Sequence, residues 1–296
     1  MRVLITGASG FVGRAVTEAV VRRGHAVRGL VRRPPARGVP GEWFAGSVCS
    51  GEDLRRAMAG CDAVIHLVGI IGEVGDQTFD RVHRQGTQRV VEACSAAGVR
   101  RLIHMSALGT RSGAISGYHR SKWAAEQVVR ESGLDWTVFR PSVIYGPGDG
   151  FVNLFVRMSR WSPVLPVIGR ADALLQPVPV DAVAGAFAAA LDSEVSVRKT
   201  YDLCGPEPMT LGTILRILLE VVHRRRWIVR IPTSLARIQA ILLERIHPLL
   251  LRRAAPLTRD QILMLQEDNV GDPLPAERDL SVRTVPFREG LRRFLG

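Results

Sequence analysis

Short apolar runs and longer amphipathic stretches take turns along the first two hundred residues. RVLITG at the start, HAVRGLV from His25, CDAVIHLVG from Cys61, VRRLIHMSA from Val99, DWTVFRP from Asp135 and KTYDLCG from Lys199 have strand length and strand composition. After the first run, Val12, Val16, Ala19 and Val20 fall on one face of a helix over Gly10 to Arg23, and Gly24 follows as a stop. The helix before the fourth run ends at Gly98. Strands alternating with helices predict right-handed crossovers and a parallel sheet covered on both faces.

The pattern changes after Gly205. A helix around residues 211–222 precedes the strand-like RWIVRIP, a basic amphipathic segment follows Ser234, and TRDQ at Thr258 to Gln261 has the spacing of a capping box. Pro34-Pro35 and GDPLP from Gly271 mark loops. Two units are expected: a large one over residues 1–205, and a smaller α/β one over 206–296, with 150–175 contributing to it, above the strand ends.

Composition narrows the class. The chain has 296 residues, 46% hydrophobic and 23% charged, which excludes a disordered chain. Its four cysteines, Cys49, Cys61, Cys94 and Cys204, form no CxxC pair and suggest neither a zinc site nor a redox dithiol. MRVLITGASG reads at once as strand and turn, so no signal peptide is expected. A cytoplasmic location follows as the expectation, with room for peripheral attachment to the inner face of a membrane. The formal charge of +12 invites anionic partners, yet all basic residues except Lys122 and Lys199 are arginines, so genome composition explains it as readily.

Gly7, Gly10 and Gly13 stand between the first strand and the first helix. Glycines there let the backbone approach a pyrophosphate, and the helix start supplies free N–H groups. The expected fold is therefore a doubly wound Rossmann-type sheet holding a nicotinamide dinucleotide. Ser9, Phe11, Val12, Leu67, Val68 and Pro141 are expected to line the ligand with the three glycines. No acid occurs between Glu18 and Glu42, where an NAD site would place one for the ribose 2′-hydroxyl. Arg32 and Arg33 stand there instead and suit a 2′-phosphate, so NADP(H) is favoured over NAD(H).

Tyr118 and Lys122 lie four residues apart, on one face of a helix. An ammonium beside a phenol lowers its pKa and prepares it to exchange a proton with a carbonyl or hydroxyl. With TGASGFVG, YHRSK, FRPSVIYGPGD and PVDAVAGA, the chain resembles the short-chain dehydrogenase/reductase superfamily. That resemblance implies catalysis by Tyr118 and Lys122, with Ser106 as the third member, and it places Tyr118 and Lys122 at the bound cofactor as well, the lysine on the nicotinamide ribose. GDGFVNLF, LLQPVPVDAV, YDLCGPE and PLTRDQILMLQEDNV are similar to an atypical branch. That branch contains the nucleotide-binding accessory subunit of respiratory complex I and its bacterial relatives. It implies tightly held NADPH and a place beside a membrane quinone system, but not turnover.

Three departures matter. Active relatives place the working hydroxyl about one position after Ser106, at Ala107 or Leu108. Gly46-Ser47 stands where extended relatives carry Gly-Asp for the adenine, and His83 where they carry Asn. His66 and His104 read as satisfied core histidines, and Asp149 and Asp181 are assigned no chemistry.

Nine arginines and two acids, Glu220 and Glu244, occur from Arg216 to Arg253. Ser234 is expected to cap a helix running to about His247, stopped by Pro248. Leu235, Ile238, Leu242 and Ile246 form its apolar stripe, with Arg237 and Glu244 opposite and Arg245 at the margin. Such a helix either lies in a membrane headgroup region or packs inward. Nucleic acid is not an expected partner, because Trp227 is the one aromatic in the cluster. Three functions stay open: a membrane-adjacent accessory protein linked to a respiratory or quinone system; an active oxidoreductase, epimerase or dehydratase on a small or isoprenoid-like substrate; and a nucleotide-sensing regulator.

Overall fold

The computed structural model describes residues 1–33, 41–170, 172–251 and 255–295. In chain order the first half holds β1 (Arg2–Thr6), α1 (Phe11–Arg22), β2 (Ala26–Val31), β3 (Glu42–Ala45), α2 (Gly51–Met58) and β4 (Ala63–His66). A wide helical turn (Asp80–Gln85) then runs into α3 (Gly86–Ala97), followed by β5 (Arg101–Met105), α4 (Gly117–Arg130) and β6 (Asp135–Pro141). Next come β7 (Ile144–Tyr145), α5 (Val152–Trp161), β8 (Val164–Ile168), β9 (Leu174–Leu175), β10 (Val178–Pro179), α6 (Val180–Asp192) and β11 (Lys199–Leu203). The chain ends with β12 (Met209–Thr210), α7 (Leu211–Val221), β13 (Trp227–Ile231), α8 (Thr233–Leu251), α9 (Arg259–Met264), α10 (Leu274–Leu280) and α11 (Phe287–Leu295).

Seven strands form one parallel sheet in the order β3-β2-β1-β4-β5-β6-β11. All six apolar runs read as strands belong to it. The edge strand β3 was not foreseen: EWFA is short, partly exposed and follows a Pro-rich stretch. The order reverses between β1 and β4, and in open α/β sheets ligands sit at such switch points, outside the carboxyl ends of the strands. One face buries Val3, Ile5, Ile65 and Ile103 against α1 and α6, with Ala276 and Leu280 of α10 joining them. The other buries Leu4, Val64, Leu102 and Val138 under α2, α3 and Val129 of α4.

A second core gathers Val152 and Val156 of α5, Leu165 of β8, Leu215 and Leu218 of α7 and Leu291 of α11. Its elements come from both sides of residue 205. β8 and β13 pair in parallel beside it, from Trp227 with Val164 to Ile231 with Ile168. Asp149 is 4% exposed and takes N–H bonds from Gly146 at 2.9 Å and Phe151 at 2.7 Å, a turn-forming role without chemistry.

Two features of α8 bear on the expectation: its bounds differ, and one of the two orientations left open is found. The helix starts at Thr233 and runs through Pro248 to Leu251 instead of stopping at His247. Proline removes one N–H bond, but its fixed φ is itself helical, so it weakens the ladder without ending it. Second, Ala236 and Ala240 are the residues buried, against Ile262 of α9. Leu235, Ile238, Leu242 and Ile246 stay 58, 58, 55 and 51% exposed. Small residues allow close helix packing, and that turns the larger stripe outward. Arg252, Arg253, Pro34 and Pro35 lie outside the described residues. Among the described residues no helix is long and apolar enough to cross a membrane, and no cluster of potential metal ligands occurs.

Candidate nucleotide and catalytic site

The turn after β1 is built by glycine for stated reasons. Gly7 has φ +77°, a left-handed conformation that L side chains rarely adopt. A Cβ on Gly13 would fall 2.2 Å from the Gly7 carbonyl oxygen and 2.7 Å from Ala8 Cα, so only glycine lets α1 approach β1 this closely. Gly10 precedes α1 without a side-chain cap, and the first turn of α1 has no acid. The free N–H groups and the positive end of the helix dipole therefore face the crevice.

A cleft of about 340 Å³ opens there. Gly7, Ser9, Gly10, Phe11, Val12, Gly13, Arg32, Leu67 and Val68, all expected at the ligand, line it. A glycine cradle, free helix N–H groups and an arginine at the end of β2 fit a dinucleotide with an anionic backbone. Gly46, Ser47, Val48 and Cys49 also line it, so this segment keeps its place without the relatives' acid. Asp53 supports it from below, accepting the Ser47 N–H at 3.0 Å, which holds its carboxyl below the usual range. Arg33 is exposed beside Arg32 and is not in the lining. Pro141 is buried at the end of β6, also outside it, where its carbonyl accepts the Leu108 N–H at 2.9 Å.

The helix α4 carries Tyr118 and Lys122, neither of which is in the cleft lining. Ser116 caps it through the His119 N–H. The two preceding amides, Gly117 and Tyr118, donate to Asp260 of α9 at 2.6 and 3.0 Å. Lys122 is 1% exposed, and its Nζ donates to the Met105 carbonyl at 3.0 Å. A Cβ on Gly69, in the cleft wall, would lie 3.0 Å from that Nζ. Lys122 thus borders the space without appearing in its lining, while Met105, which accepts from it, does line the cleft.

The expected lowering of the Tyr118 pKa is absent. Burial pushes the phenol up to about 12, and no hydrogen bond reaches its hydroxyl among the described residues. The Lys122 ammonium is turned to the Met105 carbonyl instead. Tyr118 is half-buried among ring edges, with His119 at 5.4 Å, His83 at 5.5 Å and Phe79 at 6.0 Å between centroids. Ser106 is 2% exposed, and its hydroxyl donates to Thr110 Oγ1 at 3.4 Å. The structure thus sets Tyr118 and Lys122 on one helix beside the cleft and leaves the Ser106 hydroxyl engaged elsewhere.

His83 does more than fill the position of an asparagine. Its Nε2 accepts the Ile70 N–H at 3.0 Å, which leaves the ring proton on Nδ1 for Ser121 Oγ at 2.8 Å. Ser121 in turn donates to the Tyr118 carbonyl at 2.8 Å. Burial, with Lys122 nearby, holds the His83 pKa down to about 2, so the ring is neutral. His66 is satisfied by Thr6 and Thr87, as expected of a core histidine. His104 is not: both its ring nitrogens are buried without a hydrogen-bond partner among the described residues, 5.3 Å from the His66 ring. The strand register places these two histidines side by side.

Burial also draws the Lys122 pKa down to about 8, against an ordinary value of 10.5. The folded chain therefore carries a penalty for the buried ammonium below pH 8, which fades as pH rises from 8 to 10.5. A Lys122→Met chain is expected to gain most against the parent at pH 7 and to lose that relative gain as pH rises from 8 to 10.5, with the lost bond to the Met105 carbonyl counting against it throughout. Urea unfolding across this range measures the difference.

A family model described as NAD(P)H-binding matches residues 7–155. Ceramide reductase of Caulobacter vibrioides (strain NA1000 / CB15N) is 37% identical over 57% of this chain and 54% of its own length. The mitochondrial NADH dehydrogenase [ubiquinone] 1 alpha subcomplex subunit 9 of Arabidopsis thaliana is 29% identical over 80% of this chain and 61% of its own. The chain thus spans less than two thirds of the length of these two relatives. The 2-alkyl-3-oxoalkanoate reductase of Stenotrophomonas maltophilia (strain K279a) is 29% identical over 99% of this chain and 98% of its own. Among solved structures, UDP-glucose 4-epimerase of Thermotoga maritima superposes with a TM-score of 0.78 at 20% identity, over 100% of this chain and 97% of that one, a likeness of fold.

Proposed function

This chain belongs to the NAD(P)H-binding family, within the atypical short-chain dehydrogenases/reductases, and from that membership we propose an NADP(H)-dependent carbonyl reductase working at an anionic membrane surface. The carrying observation is Tyr118 and Lys122, one helical turn apart on α4 beside a glycine-cradled cleft. Bound NADPH would supply the hydride. Tyr118 donates its phenolic proton to the carbonyl oxygen, so that the product is an alcohol, and water reprotonates the tyrosine. Lys122, which in this structure donates to the Met105 carbonyl, would turn to the phenolate and supply the positive charge that steadies it while the proton is away.

The substrate class we infer is a carbonyl on a long-chain or isoprenoid lipid. Two of the relatives carry reductase names that point to such molecules. The outward stripe of α8 supports the same reading. Trp161 and Trp227 of the smaller unit are 90 and 76% exposed, and exposed Arg225, Arg230 and Arg237 have no ion pair among the described residues. Exposed apolar residues, tryptophans and free arginines together suit a headgroup region. α9, which touches α8, sits at the start of the tyrosine's helix, so a lipid held at α8 has a short way to Tyr118.

NADP(H) over NAD(H) is proposed on Arg32. Arg32→Ala is expected to weaken NADPH binding by about 10- to 100-fold, the worth of a charge-assisted phosphate contact, and to leave NADH binding nearly unchanged. Nicotinamide fluorescence titration of both nucleotides tests this; equal losses for both would remove Arg32 from the 2′-phosphate.

A second reading has its own observation. A phenol pushed up to about 12 and a Ser106 hydroxyl turned to Thr110 suit a cofactor held for structure, in an accessory protein of a respiratory or quinone system. The complex I subunit among the relatives gives that reading its partner. The two part on turnover. The reductase consumes NADPH when given carbonyl lipids in anionic vesicles; the accessory protein keeps its NADPH reduced.

A further inference from the structure

We propose that the segment 258–272 couples the outer face of α8 to Tyr118, with Asp260 as the positioning residue and an anionic lipid surface as the occupant of α8. The proposal rests on the reading of Tyr118 and of the α8 stripe given above.

A helix start has N–H groups that need acceptors. The Ser116 side chain, the local cap of α4, satisfies the His119 amide and its carbonyl takes that of Arg120, which leaves Gly117 and Tyr118. The Gly117 and Tyr118 amides depend on the carboxylate of Asp260, more than 140 residues later in the chain. A carboxylate at this end also meets the positive end of the helix dipole. Without it, two amides at the base of the tyrosine lose their partner.

Asp260 is held in place from both directions. The capping box of Thr258 and Gln261 fixes the first turn of α9. The residue before it, Arg259, is tied to α8: its N–H and its Nε both donate to Glu244, each at 2.7 Å. Two adjacent residues thus join α8 to the start of α4. Further on, Glu267 pairs with Arg111, and the Asn269 side chain donates to the Leu108 carbonyl at 3.1 Å. Those contacts hold the loop that follows Ser106.

The packing under α8 is slight. Its buried contacts with α9 among the described residues are Ala236, Ala240 and Ile262, with Ile168, Ile231 and Leu257 partly buried around them. Among its described side chains, Leu235, Ile238, Ile241, Leu242 and Ile246 are exposed. The acids of this region are already engaged, Glu220 with Arg288 and Glu244 with Arg259, which leaves the arginines as the free charges. A surface that takes up the stripe and carries negative charge completes both, and it gives the α8–α9 pair a second support. The Asp260 cap on α4 then persists longer.

Amide hydrogen exchange of the full chain with bound NADPH tests this, read on peptides covering the start of α4. Equimolar phosphatidylglycerol/phosphatidylcholine vesicles are compared with phosphatidylcholine alone. The anionic vesicles are expected to slow exchange at Gly117 and Tyr118 about fivefold, the worth of one cap. Asp260→Ala is expected to float with the vesicles as the parent does and to lose the slowing. Asp260→Asn keeps an acceptor oxygen and retains part of it, a rescue that a fold defect would not give. Leu235→Glu with Leu242→Glu loses flotation and slowing together. Vesicle binding with unchanged exchange at α4, or slowing that survives Asp260→Ala, overturns the coupling while leaving the surface reading intact. No flotation, or self-association through α8, overturns the lipid as occupant. NADPH consumption by a water-soluble ketone reports on Tyr118 separately from both.

Discussion

A Tyr118→Phe chain is expected to bind NADPH as the parent does and to oxidise it about 10²- to 10⁴-fold more slowly with any carbonyl lipid the parent reduces, the range for loss of a general acid. The ring keeps its edge contacts with Phe79, His83 and His119, because the hydroxyl takes part in none of them. Nor does the hydroxyl hold any hydrogen bond among the described residues, so its removal breaks no part of the fold. Steady-state rates with binding measured in parallel separate the two effects. An unchanged rate would mean that another group delivers the proton. Burial, which pushes the phenol up to about 12, keeps the proton on Tyr118 through the physiological range but makes it a weak acid, so turnover requires the Lys122 charge to be brought to it.

The second large effect concerns the other end of the same helix. Glu126 is fully buried and accepts from Arg140 Nε at 2.8 Å and Nη2 at 2.7 Å, with Arg130 Nη2 at 3.3 Å. This two-pronged pair ties α4 to β6. Glu126→Ala leaves the Arg140 guanidinium largely buried without its counter-charge, and is expected to cost about 3–5 kcal/mol of stability. Chemical denaturation measures it. Joining Glu126→Leu to Arg140→Met should recover most of the loss, since an apolar pair of similar volume replaces a buried ion pair at little cost. A loss under 1 kcal/mol for the single change would show that water reaches Arg140.

The large sheet was legible because buried parallel strands are apolar throughout, so each run announced itself without help from its neighbours. β3 was not, since an edge strand has less to bury and EWFA alternates too briefly to stand out. The glycine turn could be read because its residues are adjacent in sequence. Asp260 could not. Its partners are amides of Gly117 and Tyr118, and nothing in local spacing connects a carboxylate to a helix start so far back. The box Thr258–Gln261 was readable as a helix start, but not which helix it would serve. His83 was seen as a departure, and its bridge from Ile70 to Ser121 needed coordinates.

The orientation of α8 carries a different lesson. Periodicity located the stripe of Leu235, Ile238, Leu242 and Ile246, and it assigned a direction to neither face. Ala236 and Ala240 decided the matter by permitting the closer approach to Ile262. The large side chains were left outside, which a reading weighted by hydrophobic size does not anticipate.

We propose that this chain uses NADPH on a lipid carbonyl. The direct test loads purified protein with NADPH and presents carbonyl lipids, keto-lipids and quinones among them, in anionic vesicles. The nicotinamide absorbance is followed and the lipid analysed. Loss of NADPH matched by formation of the alcohol is expected, slowed about 10²- to 10⁴-fold in Tyr118→Phe. NADPH that stays bound and reduced through every addition would contradict the proposal and leave the cofactor a structural role.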